Sequence, residues 1–416
     1  MNLRTQPYKG ARDFYPEDKR IQKWMFAKLR DVVESFGYQE YDAPLIESFE
    51  IYAAKTGEEI VNEQLYSFED RGGRKVAIRP EMTPSVSRMV AARRQELAYP
   101  LRWYSIPNLW RYERPQRGRL REHWQLNVDI FGVEGLEADV EIIQIADAIL
   151  KTYGAKPDSY KIRVNSLKSA EAVYKDLRLD QVQHRAVAKL LDKRARMSET
   201  EFNSSLKEAV GQKTADDLLE YWSKEQPPEN IAALLNLLEK AGVSSIVFDP
   251  EIARGMDYYT DIVFEVFDES AENNRAMFGG GRYDGLVAEF GVEPVPTVGF
   301  GMGDVTLLNF LESNGLLPKL STETDTAVIL IGDVFEDAQT VISELRRQGL
   351  NVAVDPTNRK LDAKIKSAAK SGVKYAIFIG EQELKTGKYR LKNLETGQEQ
   401  ELETAELAQA LESSRV

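Results

Sequence analysis

The sequence predicts an α+β protein with a strand-rich first part, a helical insertion and a small α/β domain at its C-terminal end. Strand-like runs surround an arginine-rich segment, and helical periodicity replaces them from about residue 166 to 242. Strand and helix then alternate from residue 325 onwards. With 416 residues, the chain is long enough for two or three domains that each bury a core.

The first predicted element is an amphipathic helix from Pro16 to Phe36. Pro16 suits the first turn, because the N–H that proline lacks would have no helical partner there. Glu17 and Asp18 lie favourably beside the positive end of the helix dipole, and Gly37 is a typical stop signal.

Short strands and a basic loop follow this helix. Residues 66–68 and 75–78 are strand-like, as are the runs 101–106 and 124–131, which alternate and are rich in β-branched and aromatic residues. Between the last two runs lies the arginine-rich loop, Arg111–Arg121, with five arginines in eleven residues. The segment is therefore predicted to be strand, basic loop, strand.

The arginine-rich loop is suited to binding polyanions. Arginine can grip a phosphate through two hydrogen bonds, and rigid flanking strands fix the direction of each guanidinium group. A nucleotide triphosphate is a ligand of this kind. Taken alone, the segment is equally consistent with a solvated basic hairpin, because charged hairpin loops are common on protein surfaces.

The region after the loop contains the helical insertion and a return to strands. Leucine and isoleucine residues recur at helical spacing in the insertion, and Pro227-Pro228 breaks the pattern. Strand-like, glycine-rich sequence returns from Val247 to Phe300, so the helices are predicted to interrupt one domain. Gly279–Gly281 and Gly299–Gly303 lack P-loop spacing, and we interpret them as sites of close backbone packing around a bound ligand.

Composition excludes several classes of protein. Cysteine is absent, which excludes a disulfide framework, a zinc-thiolate site and a cysteine nucleophile. The two histidines are too few for a histidine-based metal site, and no metal site built by the protein is predicted. The N-terminal residues lack a secretory signal and no run is long enough to span a membrane, so we expect a cytoplasmic protein without membrane contact.

The formal net charge of −12 argues against non-specific nucleic-acid binding over the whole surface. Any such contact must use local patches, and a second patch lies near the C-terminus. Residues 346–392 hold twelve Lys or Arg against four Asp or Glu, with Arg359, Lys360, Lys364, Lys366 and Lys370 along one predicted helix. This cluster favours phosphate binding, although a solvated helix face is the common alternative for such a run.

Further motifs give the chain a family resemblance. Residues 253–260 are Ala-Arg-Gly-Met-Asp-Tyr-Tyr-Thr, and residues 278–286 are Phe-Gly-Gly-Gly-Arg-Tyr-Asp-Gly-Leu. With the arginine-rich loop, which is similar to motif 2 of the class II synthetases, these segments resemble the histidyl-tRNA synthetases. Ile78–Thr83 and Gly10–Phe14 are similar to two more segments of that family, so the resemblance covers nearly the whole chain.

The resemblance implies an architecture. A class II antiparallel-sheet catalytic domain is expected over residues 1–320, with the helical insertion at about 166–242, followed by an anticodon-binding α/β domain over residues 325–416. Tyr41–Glu47 resembles motif 1, which builds the dimer interface in this family, so a homodimer is expected.

The resemblance also implies a reaction and a set of site residues. The reaction is the activation of histidine with ATP, accompanied by Mg²⁺, and its transfer to histidine tRNA. The implied catalytic residues are Arg111 and Arg254, and the implied ATP-binding residues are Arg111, Glu113, Arg119, Arg121 and His123. The implied histidine-binding residues are Glu81, Thr83, Gln125, Asp129, Arg254, Tyr258 and Tyr259. The implied tRNA-binding residues are Gln116, Arg117, Arg359 and Lys360.

Within this set, each role matches a chemical need. Arginines can bring the histidine carboxylate and the α-phosphate together against their mutual repulsion. Glu81, Thr83 and Gln125 are expected to bind the histidine ammonium. Asp129 and Tyr259 are expected to bind the two ring nitrogens, because an imidazole donates at one nitrogen and accepts at the other.

The chain departs from the family pattern at three positions. His123 replaces the phenylalanine that stacks on adenine, Thr306 replaces the arginine of motif 3, and Asp129 replaces a glutamate. Two other functions therefore compete with the ligase. One is a non-catalytic histidine-sensing paralogue resembling the regulatory subunit of ATP phosphoribosyltransferase, which usually lacks the arginine-rich loop and the C-terminal domain. The other is a proline, threonine or glycine synthetase, which would lack the tyrosine pair at 258–259.

Overall fold

A computed structural model describes residues 3–53, 60–194, 197–223, 226–252, 258–270 and 276–412. The chain forms two compact units. The first comprises residues 1–13 and 22–317, and the second comprises residues 14–21 and 318–416. The division after Leu317 lies close to the predicted boundary at 320–325, and the start of the first helix groups with the second unit.

The first half of the chain alternates short strands with helices. Its elements are α1 (Pro16–Ser35), β1 (Gln39–Glu40), β2 (Ile46–Ser48), α2 (Phe49–Ala53), a π-helical turn (Ile60–Gln64), β3 (Ser67–Glu69), β4 (Lys75–Ile78), α3 (Thr83–Ala92), β5 (Leu101–Ser105), β6 (Asn108–Trp110), β7 (Glu122–Phe131) and α4 (Leu136–Thr152). The predicted first helix is confirmed, and it buries Met25, Leu29, Val32 and Val33 at helical spacing.

The strand before the arginine-rich loop differs from the prediction. The run 101–106 forms β5, but a further short strand, β6, lies between it and the loop. Pro107 separates the two strands because it has no N–H to donate to a ladder, and its carbonyl accepts a hydrogen bond from Gln125 N at 3.2 Å.

The middle of the chain contains the helical insertion and the returning strands. Its elements are β8 (Tyr160–Ser166), α5 (Leu167–Asp176), α6 (Gln181–Lys193), α7 (Glu199–Val210), α8 (Gln212–Trp222), α9 (Glu229–Lys240), β9 (Ile246–Phe248), β10 (Ile262–Asp268), β11 (Ala276–Arg282), a 3₁₀ turn (Val287–Phe290), β12 (Thr297–Gly303) and α10 (Asp304–Ser313). The predicted helical character is confirmed. Helices α5 to α8 share a hydrophobic cluster that includes Phe202, Leu206, Leu218 and Trp222, and Pro228 caps the start of α9.

The first unit is built on a nine-stranded sheet with the order β1-β5-β7-β12-β11-β10-β8-β9, and β6 also pairs with β7. Only the outer pairs β1–β5 and β8–β9 are parallel, so the antiparallel prediction is confirmed. Strand β7 lies between β5 and β12 over Asn127–Phe131, and its first three residues pair with β6. Strand β7 therefore runs through the sheet from residue 122 to residue 131 and has neighbouring strands along its length.

A buried ion pair joins this sheet to helix α4. Arg282, at the end of β11, donates to Asp139 at 2.5 Å and to the carbonyl of Gly135 at 2.8 Å. Burial raises the pKa of Asp139 to about 6, although the neighbouring Arg282 favours its charged form. The arginine of the 278–286 motif is therefore structural.

The second unit contains the predicted alternation of strand and helix. Its elements are β13 (Thr326–Leu330), α11 (Gln339–Arg347), β14 (Val352–Asp355), α12 (Leu361–Lys370), β15 (Tyr375–Ile379), α13 (Glu381–Thr386), β16 (Lys388–Asn393), β17 (Glu399–Glu403) and α14 (Thr404–Glu412). The strands are ordered β14-β13-β15-β16-β17; the first three are parallel, and the pairs β15–β16 and β16–β17 are antiparallel. A cluster including Val328, Ile342, Leu345 and Ile377 forms the core of this unit.

Candidate active site

The site begins with the pairing of β7 and β12. Asp129 lies opposite Gly299, and Asn127 lies opposite Gly301. A Cβ on Gly299 would overlap the Asp129 carboxylate, and a Cβ on Gly301 would lie 2.8 Å from the Gln125 amide nitrogen. The glycines of β12 therefore make room for two of the predicted histidine-binding side chains, whereas our interpretation from sequence was close backbone packing around a ligand.

Asp129 is buried and has one hydrogen-bond donor in the described site. The hydroxyl of Tyr283 donates to its Oδ1 at 2.5 Å, and only 3% of the residue is exposed. Burial raises the pKa of Asp129 to about 7, and the hydrogen bond from Tyr283 opposes part of that rise. A carboxyl group in this state can exchange its proton near neutral pH.

Tyr283 was missed by the sequence reasoning. It belongs to the 278–286 motif, which we quoted for family resemblance without giving its tyrosine a role. A tyrosine that directly follows a run of three glycines and an arginine was the signal that could have identified it. Tyr283 is 2% exposed, so its phenol needs a hydrogen-bond partner, and Asp129 supplies one.

A second tyrosine connects Asp129 to Glu81. Tyr258 donates to the Glu81 carboxylate at 3.2 Å, and both residues are buried. The rings of Tyr258 and Tyr283 are 5.5 Å apart, and that of Tyr259 is 4.9 Å from Tyr258. The structure thus brings Glu81, Asp129 and the tyrosine pair together, although they lie far apart in the sequence.

Two more predicted histidine-binding residues, Thr83 and Gln125, are half-buried. Thr83 is the first residue of α3, directly after the Glu81–Met82 pair, and Gln125 lies on β7 opposite Gly303. Arg254 lies outside the described residues, as do its neighbours 253–257. Its two predicted roles therefore stay predictions.

Arg111 is fixed to the chain segment that carries Glu81. Its Nε donates to the carbonyl of Pro80 at 2.9 Å, and its backbone N–H donates to the carbonyl of Arg121 at 2.9 Å. Because Pro80 immediately precedes Glu81, this bond anchors the Arg111 guanidinium to the chain segment that carries the Glu81 carboxylate. An α-amino acid carries an ammonium and a carboxylate on one carbon, so adjacent opposite charges match it.

The tip of the arginine-rich loop is a tight turn. Gln116 and Arg119 exchange backbone hydrogen bonds of 3.0 and 2.9 Å, and Gly118 takes a positive φ of 79°. Arg114, Gln116, Arg117 and Arg119 are exposed, and Arg119 lies 3.9 Å from the Glu113 carboxylate. Four side chains of the loop are therefore open to a ligand.

Arg121 has a different environment from the other loop arginines. It is 8% exposed, and its guanidinium donates to the Glu113 carbonyl at 3.1 Å and to the Tyr8 hydroxyl at 2.8 Å. Its predicted contact with the triphosphate stays a prediction, and the structure shows it packed among tyrosines.

His123 and Thr306 lie where the resemblance places the adenine. Burial, followed by the positive charges of Arg111 and Arg12, lowers the pKa of His123 to about 3, so its ring is neutral at physiological pH. The Thr306 hydroxyl donates to the Gly303 carbonyl at 3.0 Å. Arg12 binds the buried Asp304 at 2.7 Å and lies 5.8 Å from the Trp124 ring centre, so it supplies a cation at this end of the site.

In the second unit, the predicted tRNA-binding residues Arg359 and Lys360 are exposed at the start of α12. Arg359 pairs with Asp355 at 2.8 Å. Lys364 was counted in the same basic cluster, but it is 6% exposed and donates to the Leu330 carbonyl at 2.8 Å. The part of that interpretation that concerns Lys364 is wrong, because this lysine faces the sheet.

Comparison with known proteins agrees with the motifs. Residues 10–305 match the histidyl-tRNA synthetase family, and residues 325–414 match the anticodon binding domain. The chain belongs to the histidyl-tRNA synthetase family.

Several relatives extend this match over nearly the full length. A histidine–tRNA ligase from Leptospira biflexa is 42% identical over 411 residues, covering 95% of this chain and 94% of that protein. Another from Haloarcula marismortui is 38% identical and covers 94% of each chain. A crystal structure of histidyl-tRNA synthetase from a Nostoc species has a TM-score of 0.82 at 22% identity, over 99% of this chain and 100% of that one, and supports the fold. None of the described helices is long and apolar enough to cross a membrane.

The pKa of Asp129 gives a prediction for stability. Its pKa rises from an ordinary value near 3.8 to about 7 on folding, so its contribution to the free energy of unfolding falls as pH rises between those values. Asp129→Asn cannot ionise and avoids this loss. Relative to wild type, the variant should gain about 2–3 kcal/mol in free energy of unfolding between pH 5 and pH 8.

Urea unfolding at the two pH values measures this difference. Asp249→Asn is the control, because Asp249 is only half-buried and pairs with Arg163 at 3.2 Å, and this variant should show no such gain. A stability difference between Asp129→Asn and wild type that is the same at both pH values would contradict the assigned burial of charge.

Proposed function

We propose that this chain activates histidine with ATP and transfers it to histidine tRNA. In the first step the histidine carboxylate attacks the α-phosphate and pyrophosphate leaves. In the second, a hydroxyl of the terminal tRNA ribose attacks the histidyl carbonyl and AMP leaves. The observation that carries the proposal is one cluster in which Tyr258 bonds Glu81, Tyr283 bonds Asp129 and the tyrosine rings pack together, with Arg111 anchored to the carbonyl of Pro80, the residue before Glu81.

Each part of histidine has a matching group in this arrangement. Arg111 binds the carboxylate and the α-phosphate, which reduces the repulsion between two anions as they react. Glu81 binds the ammonium, together with Thr83 and Gln125. Asp129 and Tyr259 bind the two ring nitrogens, and a substrate without both would leave buried polar groups unpaired.

ATP occupies the arginine-rich loop in this proposal. Arg119 and Arg121 bind the outer phosphates, and His123 stacks on the adenine as a flat, neutral ring. Mg²⁺ accompanies the outer phosphates as part of the substrate, and Glu113 is the loop carboxylate that suits an ion held mainly by phosphate oxygens. Arg254 approaches the reacting anions from the opposite side.

We also propose a homodimer that works in the cytoplasm, where its tRNA substrate is used. The motif 1 segment and the neighbouring three-stranded sheet, β2-β4-β3, expose Leu45, Ile46 and Phe68 at 44%, 48% and 45%. Ile46 pairs with Ile78 and Phe68 with Val76, so all four side chains share one face of the sheet. An exposed apolar face of this kind is typical of a protein interface.

The competing function is a histidine-sensing paralogue without ligase activity. The exposed arginines of the loop and the presence of the second unit favour the ligase, as do the full-length ligase relatives. Histidine-dependent exchange of pyrophosphate into ATP separates the two. We expect exchange that requires histidine and is not supported by proline, threonine or glycine, and a purified, folded protein that binds histidine without exchange would instead be a sensor.

Arg254 provides a test of the mechanism. Because it is proposed to stabilise charge that forms only as the carboxylate and α-phosphate join, Arg254→Ala should lower the rate of adenylate formation roughly a hundred- to thousandfold. Single-turnover measurements with ATP and histidine should show this loss while histidine binding is retained. If Arg254 only pairs with a nearby acid, the variant will be less stable but will react at a near-normal rate.

The basic residues at the start of α12 in the second unit provide a test of tRNA binding. The double variant Arg359→Ala, Lys360→Ala should weaken tRNA binding, lower the salt dependence by roughly two phosphate contacts and leave pyrophosphate exchange unchanged. The double variant Lys385→Ala, Lys388→Ala removes the same charge from exposed positions of the same unit and serves as the control. Equal weakening by both pairs would show that only net charge matters.

A further inference from the structure

The helical insertion is joined to the sheet by hydrogen bonds at the end of β8. The hydroxyl of Ser166, the last residue of β8, is fully buried and donates to Oδ1 of Asp261 at 2.7 Å. The backbone N–H of Leu167, the first residue of α5, donates to the Asp261 carbonyl at 3.0 Å. Both the side chain and the backbone of Asp261 are therefore bound to the start of the insertion.

The last helix of the insertion reaches the same point. Asn230, in the first turn of α9, donates from its amide nitrogen to the Ser166 hydroxyl oxygen at 3.0 Å. The backbone N–H of Ser169 donates to that oxygen at 3.2 Å, and the Ser169 hydroxyl donates to the Asn230 amide oxygen at 3.5 Å. Ser166 thus joins Asp261 to α5 and α9, the helices with which the insertion begins and ends.

Asp261 lies two residues after Tyr259, whose ring packs 4.9 Å from that of Tyr258. The residue between them, Thr260, donates from its backbone N–H to the Arg282 carbonyl at 2.8 Å. Consecutive hydrogen bonds at Thr260 and Asp261 therefore fix the backbone that carries Tyr259. Accurate placement matters here, because moving a substrate-positioning group by about 1 Å can cost roughly a hundredfold in rate.

We propose that Asp261 is a positioning residue for histidine, and that the helical insertion acts on the amino-acid site through it. The bonds from Ser166 and Leu167 hold Asp261, and Asp261 in turn sets the position of Tyr259, which is proposed to bind an imidazole nitrogen. ATP is proposed to bind to other elements, the arginine-rich loop and β7, so the effect concerns histidine. This inference rests on the proposed function.

Pyrophosphate exchange with the intact chain measures the effect of Asp261. Asp261→Ala should raise KM for histidine roughly tenfold or more, because a hydrogen bond to a charged group is lost, and leave KM for ATP within about twofold of wild type. Asp261→Asn keeps an oxygen that can accept from Ser166 and should restore most of the histidine affinity. Lys168→Ala should have little effect, because Lys168 pairs with Asp261 at 3.1 Å but is 63% exposed.

The part played by the insertion is tested with Asn230→Ala, which removes a bond to Ser166 and leaves Asp261 in place. It should raise KM for histidine about two- to tenfold, the range for one neutral hydrogen bond. Added to Asp261→Ala, the same change should have no further effect, because Asn230 acts through Asp261. Asn236→Ala removes an asparagine from an exposed position of the same helix and is the matched control.

Thermal unfolding identifies the variants that are folded at the assay temperature. If Asp261 and Asn230 only anchor helices, their folded alanine variants will be less stable and will keep the wild-type KM for histidine. That result, equal rises in KM for histidine and ATP, or additive effects in the double variant would overturn the assignment. If Asp261→Ala does not fold, the comparison of Asn230→Ala with Asn236→Ala decides.

Absence of exchange in wild type would instead refute the proposed function. Calorimetric affinities for histidine would then replace KM in the same comparison of variants.

Discussion

The fit between β7 and β12 is the constraint on which the candidate site depends. Asp129 and Gln125 point across the partner strand into spaces that Gly299 and Gly301 leave open. In most cross-strand pairs both residues carry side chains that pack against each other. Here β12 has glycine at positions 299 and 301, and the side chains of Asp129 and Gln125 fill the space beside them. The pairing of β7 with β12 therefore also fixes the positions of Asp129 and Gln125 in the site.

The site also holds two carboxyl groups, Asp129 and Glu81, in different environments. Burial raises the pKa of Asp129 to about 7 and the hydrogen bond from Tyr283 opposes part of that rise, whereas Glu81 accepts a hydrogen bond from Tyr258 and follows Pro80, to which Arg111 is anchored. Two carboxyl groups in one site would repel if both were charged and unpaired. The rings of Tyr258 and Tyr283 keep the two carboxyl groups apart. In the proposed complex, Glu81 would meet the ammonium of histidine and Asp129 would meet an imidazole N–H.

Much of this arrangement follows from sequence, and particular residues show where sequence reasoning stops. Periodicity predicts the first helix, the helical insertion and the alternation after residue 325, because burial of apolar faces leaves a regular pattern. Periodicity cannot show which lysines of a helix turn towards the sheet, so Lys364 was counted with the other lysines of α12 although its ammonium donates to the Leu330 carbonyl of β13. Tyr283 was overlooked because its partner, Asp129, is more than a hundred residues away. Pro107 was the sequence signal that the strand before the arginine-rich loop is divided into β5 and β6.

At the end of the site proposed to bind ATP, the positive charge comes from Arg12, because position 306 is a threonine. The threonine at position 306 turns its hydroxyl back to the carbonyl of Gly303 and offers no cation. Arg12, from the N-terminal segment, instead places a guanidinium near His123 while its pairing with Asp304 ties that segment to α10. Burial, followed by the positive charges of Arg111 and Arg12, disfavours protonation of His123, so its ring is neutral at physiological pH. In the proposed complex this neutral imidazole would lie flat on the adenine. In the proposed complex, the cation of Arg12 and the stacking ring of His123 come from separate elements, and the N-terminal segment that carries Tyr8 and Arg12 borders the site through its contacts with Arg121 and Asp304.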